Sequence, residues 1–372
     1  MNFYQKCKKY QKKDLNKYFN ITANKKEIKK ILNKKHLNER DFLILLSPAA
    51  SIFLEQMAQQ AHQLTVQHFG RVMLLYVPLY ISNYCESSCK YCGFNIEHDI
   101  KRKKLLPHEV RREAEVLKEK GFEHILLLTG CSRQKTPVSF IKKCVLEIRD
   151  LFSSTSLEVY SLKEKEYEKL IAAGVDGLTI YQEVYNREKY KKVHPAGPKN
   201  NYQFRLKAPE RACRAGMRTV NIGALFGLDD WRNEAFLAGL HASYLQKKYP
   251  ETSINISIPR LKDHIGNYQS ENIVNDQQLV QIILAYRLFL PRVGINLSTR
   301  EGAKLRDNLL PLGITKLSAE SSTEVGGYSF SNQQKSEKQF EISDNRSLKN
   351  VKKMLKSKGY QPVMKDWHQN II

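Results

Sequence analysis

From residue 72 onward the spacing of apolar positions alternates between two periods. Short runs dense in Val, Ile, Leu and Tyr are followed by longer segments in which apolar residues recur every three or four positions. This is the pattern of repeated β/α units and a parallel sheet. The runs predicted as strands are 72–81, 124–129, 157–162, 177–183, 219–226, 254–261, 294–299 and 314–318. Between them, "PHEVRREAEVLKEKGF" (107–122) places Val110, Ala114 and Leu117 on one helix face and charges on the other, and Gly121 closes it. Eight such repeats predict an α/β fold, a closed (β/α)8 TIM-type barrel over residues 72–320. Chemistry in such barrels sits at the C-terminal ends of the strands, so the residues after each run become the candidates.

Residues 1–71 predict an N-terminal helical extension. Within it "SPAASIFLEQMAQQAHQLTVQHFG" (47–70) reads as a helix that starts at a Ser-Pro cap and ends at Gly70. Residues 319–345, rich in Ser, Gly, Asn and Gln, predict a loop, and a helix at about 346–358 leads to "PVMKDW" at 362–367. Residues 321–372 thus form a C-terminal loop and helix extension.

With 372 residues and 41% of them hydrophobic, the chain can fill a sizeable core. The longest apolar stretch, "VMLLYVPLYI", is half of the roughly 20 residues a membrane helix needs, so no membrane association is expected. The lysine-rich N-terminus lacks the features of a secretory or organellar leader, and the expected location is cytoplasmic. Seven cysteines, an odd number, argue against a disulfide framework. The net charge of +23 is concentrated toward the N-terminus, where thirteen Lys and Arg face three acids in residues 1–40. It reads as a solvated lysine-biased surface, with an acidic protein partner as the other possibility. No arginine–aromatic stripe suggests nucleic acid.

Composition alone does not explain "YCESSCKYCGFN" (84–95), which holds Cys85, Cys89 and Cys92 directly after the first strand. Structural zinc prefers four closed ligands, and a second cysteine pair is missing: Cys131, Cys144 and Cys213 are isolated and His98 is the nearby imidazole. An iron–sulfur cubane held by three thiolates instead leaves one iron open to a reacting molecule. With Tyr91 and Phe94, this C-x3-C-x-aromatic-C loop after strand one resembles the radical S-adenosylmethionine (SAM) superfamily. The resemblance implies one 4Fe-4S cluster on Cys85, Cys89 and Cys92, SAM on the open iron, and release of a 5′-deoxyadenosyl radical.

Seven strings narrow the resemblance: "LLSPAAS", "YVPLYISNYC", "YCGFN", "GFEHILLLTG", "YQEVY", "LSTRE" and "PVMKDW". Spread from near the start of the chain to its end, they are similar to the 2-iminoacetate synthase family. That family cleaves the Cα–Cβ bond of L-tyrosine to 2-iminoacetate and p-cresol for the thiazole of thiamine. The resemblance implies hand-over of the labile imine to thiazole synthase, and a basic surface suits an acidic electron donor, a flavodoxin or ferredoxin. The alternatives are a hydrogenase-maturase-like tyrosine lyase, a cofactor-F420-synthase-like or biotin-synthase-like relative, and a zinc-loop binding protein. The maturase carries a second cluster on C-terminal cysteines, and this chain has no cysteine after Cys213.

The resemblance also implies site roles. Tyr91 and Leu225 would contact the SAM adenine, although either could serve packing. Gly130 would hold the SAM amino group through its backbone, but the next residue is Cys131 where an acid is expected. Glu183 would bond the ribose, its alternative being a pair with a strand-end arginine. Arg205 would pair with the SAM carboxylate through its guanidinium fork, with Arg211 and Arg214 as substitutes. Arg300 and Ser298 would clamp the substrate carboxylate, unless Arg300 pairs with Glu301 or Glu320. Tyr80 would meet the substrate's polar end or pack. No His/Asp/Ser or His/Glu spacing suggests hydrolysis.

Overall fold

The longest strand, Val72–Ser82 (β1), is the one on which the sheet closes. In the computed structural model, which describes residues 2–11, 25–262, 268–329 and 338–365, it is followed by β2 (His124–Thr129), β3 (Ser154–Glu158), β4 (Gly177–Thr179) and β5 (Thr219–Gly223). Then come β6 (Ser253–Ser257), β7 (Gly294–Leu297), β8 (Lys316–Ser318) and β9 (Gln361–Val363). Neighbours run in parallel from β2 through β8 to β1, and β1 pairs with β2 to complete the barrel. The predicted eight-stranded closed barrel is therefore present.

Three differences have physical causes. β9, which overlaps the start of the string "PVMKDW", was not expected as a strand; it pairs with Val72–Leu74, below the point where β2 begins. Residues 366–367 of that string lie outside the described residues. β3 runs over 154–158 rather than 157–162, and β4 ends at Thr179 rather than 183. The barrel interior is polar at this level. Asn221 donates to Ser257 Oγ (2.8 Å) and Thr179 Oγ1 (3.3 Å), and His124 bonds Ser156 Oγ (3.0 Å). Hydrophobic runs therefore do not mark where these strands lie.

The outer helices follow their sequence signals. In Pro107–Glu119, Glu109 accepts from the Leu106 N–H (2.6 Å), Val110, Ala114 and Leu117 are buried, and Gly121 turns out with φ +89°. The Ser-Pro start at 47–48 opens a short 3-10 turn, Pro48–Phe53, before the helix Leu54–Phe69 ends at Gly70. At the N-terminus, Phe3 stacks on His241 of the helix Trp231–Lys248 at 4.0 Å, fastening the lead-in to the barrel. Among the described residues no single helix is long and apolar enough to cross a membrane.

Candidate active site

The cysteine loop that leaves β1 is fixed by protein contacts alone. Arg102 donates to the carbonyls of Asn83 and Phe94 (both 2.9 Å), Asn95 (2.6 Å) and His98 (3.3 Å), stapling the two limbs together. Asn83 adds bonds to Lys103 N (2.6 Å) and Lys101 O (2.9 Å). The outer edge is tied to the barrel where Glu86 N donates to Cys131 O (2.9 Å) and Lys90 N to Val193 O (3.1 Å). At Gly130 the end of β2 meets the loop so closely that a Cβ would stand 2.2 Å from Tyr84 O. Only glycine permits that approach.

Cys85, Cys89 and Cys92 open onto one cavity. Burial pushes the Cys89 thiol up to about 12 despite the Lys199 ammonium; a thiolate here needs a bound cation, which iron would supply. Ser87 N points at Cys85 Sγ (3.4 Å) and Gln339 Nε2 at Cys92 Sγ (3.6 Å), contacts of the kind that tune cluster potentials. Among the described residues no three His, Cys, Asp or Glu side chains gather as ligands of a single ion. Three thiols that open onto one cavity fit a cluster whose irons are bound one by one.

The same cavity is lined by Tyr80, Tyr91, Gly130, Glu183, Arg205, Leu225, Ser298 and Arg300 beside the three cysteines. On one side, the Tyr91 hydroxyl bonds His194 Nε2 (2.8 Å), and His194 Nδ1 bonds Tyr190 O (2.9 Å), so the ring beside Cys92 is locked. Glu183 holds φ +69°, a costly conformation for a non-glycine residue that tends to mark functional positions. Its carboxylate pairs with Lys199 (2.6 Å) and Arg205 (3.6 Å). Arg205 Nε also donates to Tyr181 O (2.7 Å), whereas Arg211 and Arg214 are engaged elsewhere, at Leu162 O (2.7 Å) and Glu164 (2.8 Å).

On the other side, Arg300 lies 3.3 Å over the Phe340 ring and forms no ion pair among the described residues. Glu301 pairs with Arg260, and Glu320 with Lys120 (2.6 Å). The expected competitors for Arg300 are thus occupied. Ser298 Oγ accepts from Arg300 N (3.4 Å), and the Tyr80 hydroxyl donates to Gln339 Oε1 (2.7 Å). Cys131 lies against Cys85, with which its thiol shares a hydrogen bond.

Sequence reasoning missed Glu158, Lys199, Gln339, Phe340, Tyr76 and Tyr181, all lining the cavity. Glu158 ends β3; burial, then the neighbouring Glu183, pushes its carboxyl up to about 7 against the pull of Arg300. Its signal was its place at a strand end, hidden by the misplaced run. Gln339 and Phe340 arrive from the C-terminal extension, where nothing in the local sequence marks them.

Comparison with known proteins agrees with this geometry. The Radical SAM superfamily description matches residues 79–238, and the Biotin and Thiamin Synthesis associated domain matches 257–361. The chain is 40% identical over 342 residues to the 2-iminoacetate synthase of Escherichia coli K12, covering 92% of this chain and 90% of that protein. The 2-iminoacetate synthase of Salmonella typhimurium LT2 is 39% identical over the same length. Among solved structures, the FeFe-hydrogenase maturase HydG from Carboxydothermus hydrogenoformans superposes with a TM-score of 0.89 at 31% identity, covering 98% of this chain and 85% of that one. Methylornithine synthase, with a TM-score of 0.72 at 20% identity, shares the fold.

Proposed function

Because the chain belongs to the 2-iminoacetate synthase family of radical SAM enzymes, we propose that its barrel cavity cleaves L-tyrosine, with the residues below in the roles given. The reaction is the lyase step that yields 2-iminoacetate and p-cresol for thiazole synthesis, and its cofactors are one 4Fe-4S cluster and SAM. The carrying observation is that three cysteines, a buried acid–base group and an acid-free arginine open onto one cavity.

When bound, the cluster and SAM supply a hydrogen-abstracting 5′-deoxyadenosyl radical. The protein's part is to bind, orient and exclude water. Cys85, Cys89 and Cys92 hold the cluster. Tyr91, braced by His194, and Leu225 flank the adenine; Gly130 offers backbone groups to the amino group; Glu183 bonds the ribose and Arg205 pairs with the carboxylate. Arg300 receives the substrate carboxylate with Ser298 beside it, and its freedom from acidic partners supports this role. Tyr80 borders the space left for the substrate.

The division at residues 71/72 and 320/321, thiazole synthase as recipient of the imine, an acidic flavodoxin or ferredoxin as donor, and a reducing cytoplasm belong to the same proposal. A basic chain with +23 net charge and seven free cysteines supports the last two. The test is anaerobic reconstitution with iron and sulfide followed by SAM, reductant and L-tyrosine. Both p-cresol and 5′-deoxyadenosine are expected; deoxyadenosine without p-cresol refutes the substrate.

A further inference from the structure

We propose that Glu158 receives the α-amino group of the substrate: its carboxylate binds the incoming ammonium and accepts one proton from it, so that the nitrogen reaches the radical step as a neutral amine. The inference rests on the tyrosine-lyase reading above and extends it to a residue to which that reading gives no role.

Position is the first argument. Glu158 ends β3 directly beside Leu128 of β2, which lies beside Tyr80 of β1, so all three stand in one layer at the catalytic rim. The groups that face its carboxyl come from both halves of the cavity. Glu183, Lys199 and Arg205 lie on the side assigned to SAM, Arg300 on the side assigned to the substrate, and the phenols of Tyr76, Tyr80 and Tyr181 are around it. In an α-amino acid the nitrogen is attached to the carbon that bears the carboxylate. A carboxylate held on Arg300 therefore brings the ammonium into the space between the two halves, where Glu158 stands.

Availability is the second argument. A buried ammonium without an acid is strongly disfavoured, and the other acids of the site are taken. Glu183 carries Lys199 and Arg205, and Glu301 carries Arg260. The Glu158 side chain has no hydrogen bond or ion pair among the described residues and borders the cavity. Its upward shift toward 7 brings it nearer to an amine than an ordinary carboxylate would be, which favours proton transfer. The step is balanced without electrons: one N–H bond of the ammonium is broken, one O–H bond forms on Glu158, and the positive charge is discharged against the carboxylate.

The experiment uses reconstituted full-length protein and the variants Glu158→Gln and Glu158→Asp. Binding of L-tyrosine is compared with that of 3-(4-hydroxyphenyl)propionate, which lacks the amino group, and p-cresol formation is followed against pH. Wild-type protein is expected to prefer tyrosine by at least about tenfold, and Glu158→Gln to lose the preference. Its kcat is expected to fall by about 10²–10⁴, with loss of the acid limb of the kcat profile. A Glu158→Gln variant that fails to load iron passes the test to Glu158→Asp, which must keep the preference while lowering kcat. Wild-type turnover with an unaltered Glu158→Gln variant overturns this inference alone; wild-type protein that makes no p-cresol overturns the function with it.

Discussion

Arg300→Gln separates a ligand-binding arginine from a structural one. The guanidinium contacts the Phe340 ring at 3.3 Å and pairs with no acid among the described residues, since Glu301 is held by Arg260. The folded protein therefore loses only a cation–π contact, about 0.5–2 kcal/mol. For a chain of 372 residues that lowers Tm by only about 1–3 °C, at roughly 1.3 °C per kcal/mol. The substrate loses two charge-assisted hydrogen bonds to its carboxylate, each contributing about 1.5–3 kcal/mol. The sum, about 3–6 kcal/mol, is a rise in the apparent Kd of L-tyrosine of at least two orders of magnitude. The assay is equilibrium binding of L-tyrosine and of tyramine, which lacks the carboxylate. Tyrosine affinity should collapse to that of tyramine, and tyramine affinity should be unchanged. An unaltered tyrosine affinity, or an equal loss for both compounds with a Tm drop above about 10 °C, would refute the assignment.

Other outcomes follow from the same geometry. Cys89→Ala should bind less iron and sulfide after reconstitution and yield no deoxyadenosine, read by iron analysis and chromatography. His194→Phe removes the acceptor of the buried Tyr91 hydroxyl and should destabilise the fold by about 1–3 kcal/mol while raising the KM for SAM, with the KM for tyrosine unchanged. Asp344→Asn breaks the buried pair with Arg306 and should cost about 3–5 kcal/mol in denaturant titrations. Burial alone would raise the Asp344 carboxyl, but hydrogen bonds from Arg346 and the charge of Arg306 outweigh it and hold it low. Its contribution is therefore complete above the ordinary aspartate value of about 3.9 and is lost as pH falls through the lowered folded value. Acid titration followed by hydrogen exchange at residues 338–348 should show that segment loosening as the carboxyl takes up its proton.

The barrel was legible wherever strand interiors are apolar, as in β1 and β2, and the cysteine loop was legible because three thiolates at fixed spacing serve few purposes. Glu158 was not. Ser154 and Ser156, on the same face of β3 as Glu158, are accepted by polar partners, Asp176 and His124, so the apolar run at 157–162 displaced the predicted strand and moved Glu158 from its end to its start. Gln339 and Phe340 were hidden for another reason. They reach the site through tertiary contacts: Thr299 O accepts from Ser343 N (3.0 Å), and Thr323 Oγ1 donates to Phe340 O (3.1 Å). Gly93 admits the strap, since a Cβ there would stand 2.7 Å from Gln339 O. A glycine next to Cys92 was the one local trace of this approach.

The pairing of β9 with the foot of β1 sets an order of assembly. While the chain is being synthesised, Val72–Leu74 emerge early and their outer backbone groups stay open until Gln361–Val363 appear. An open strand edge is a site for unwanted pairing with other chains, and contacts this distant in sequence form slowly. The thiols that follow β1 are thus made long before the floor beneath them is finished, and a chain stopped short of Gln361 would keep an adhesive edge below an otherwise complete cysteine loop.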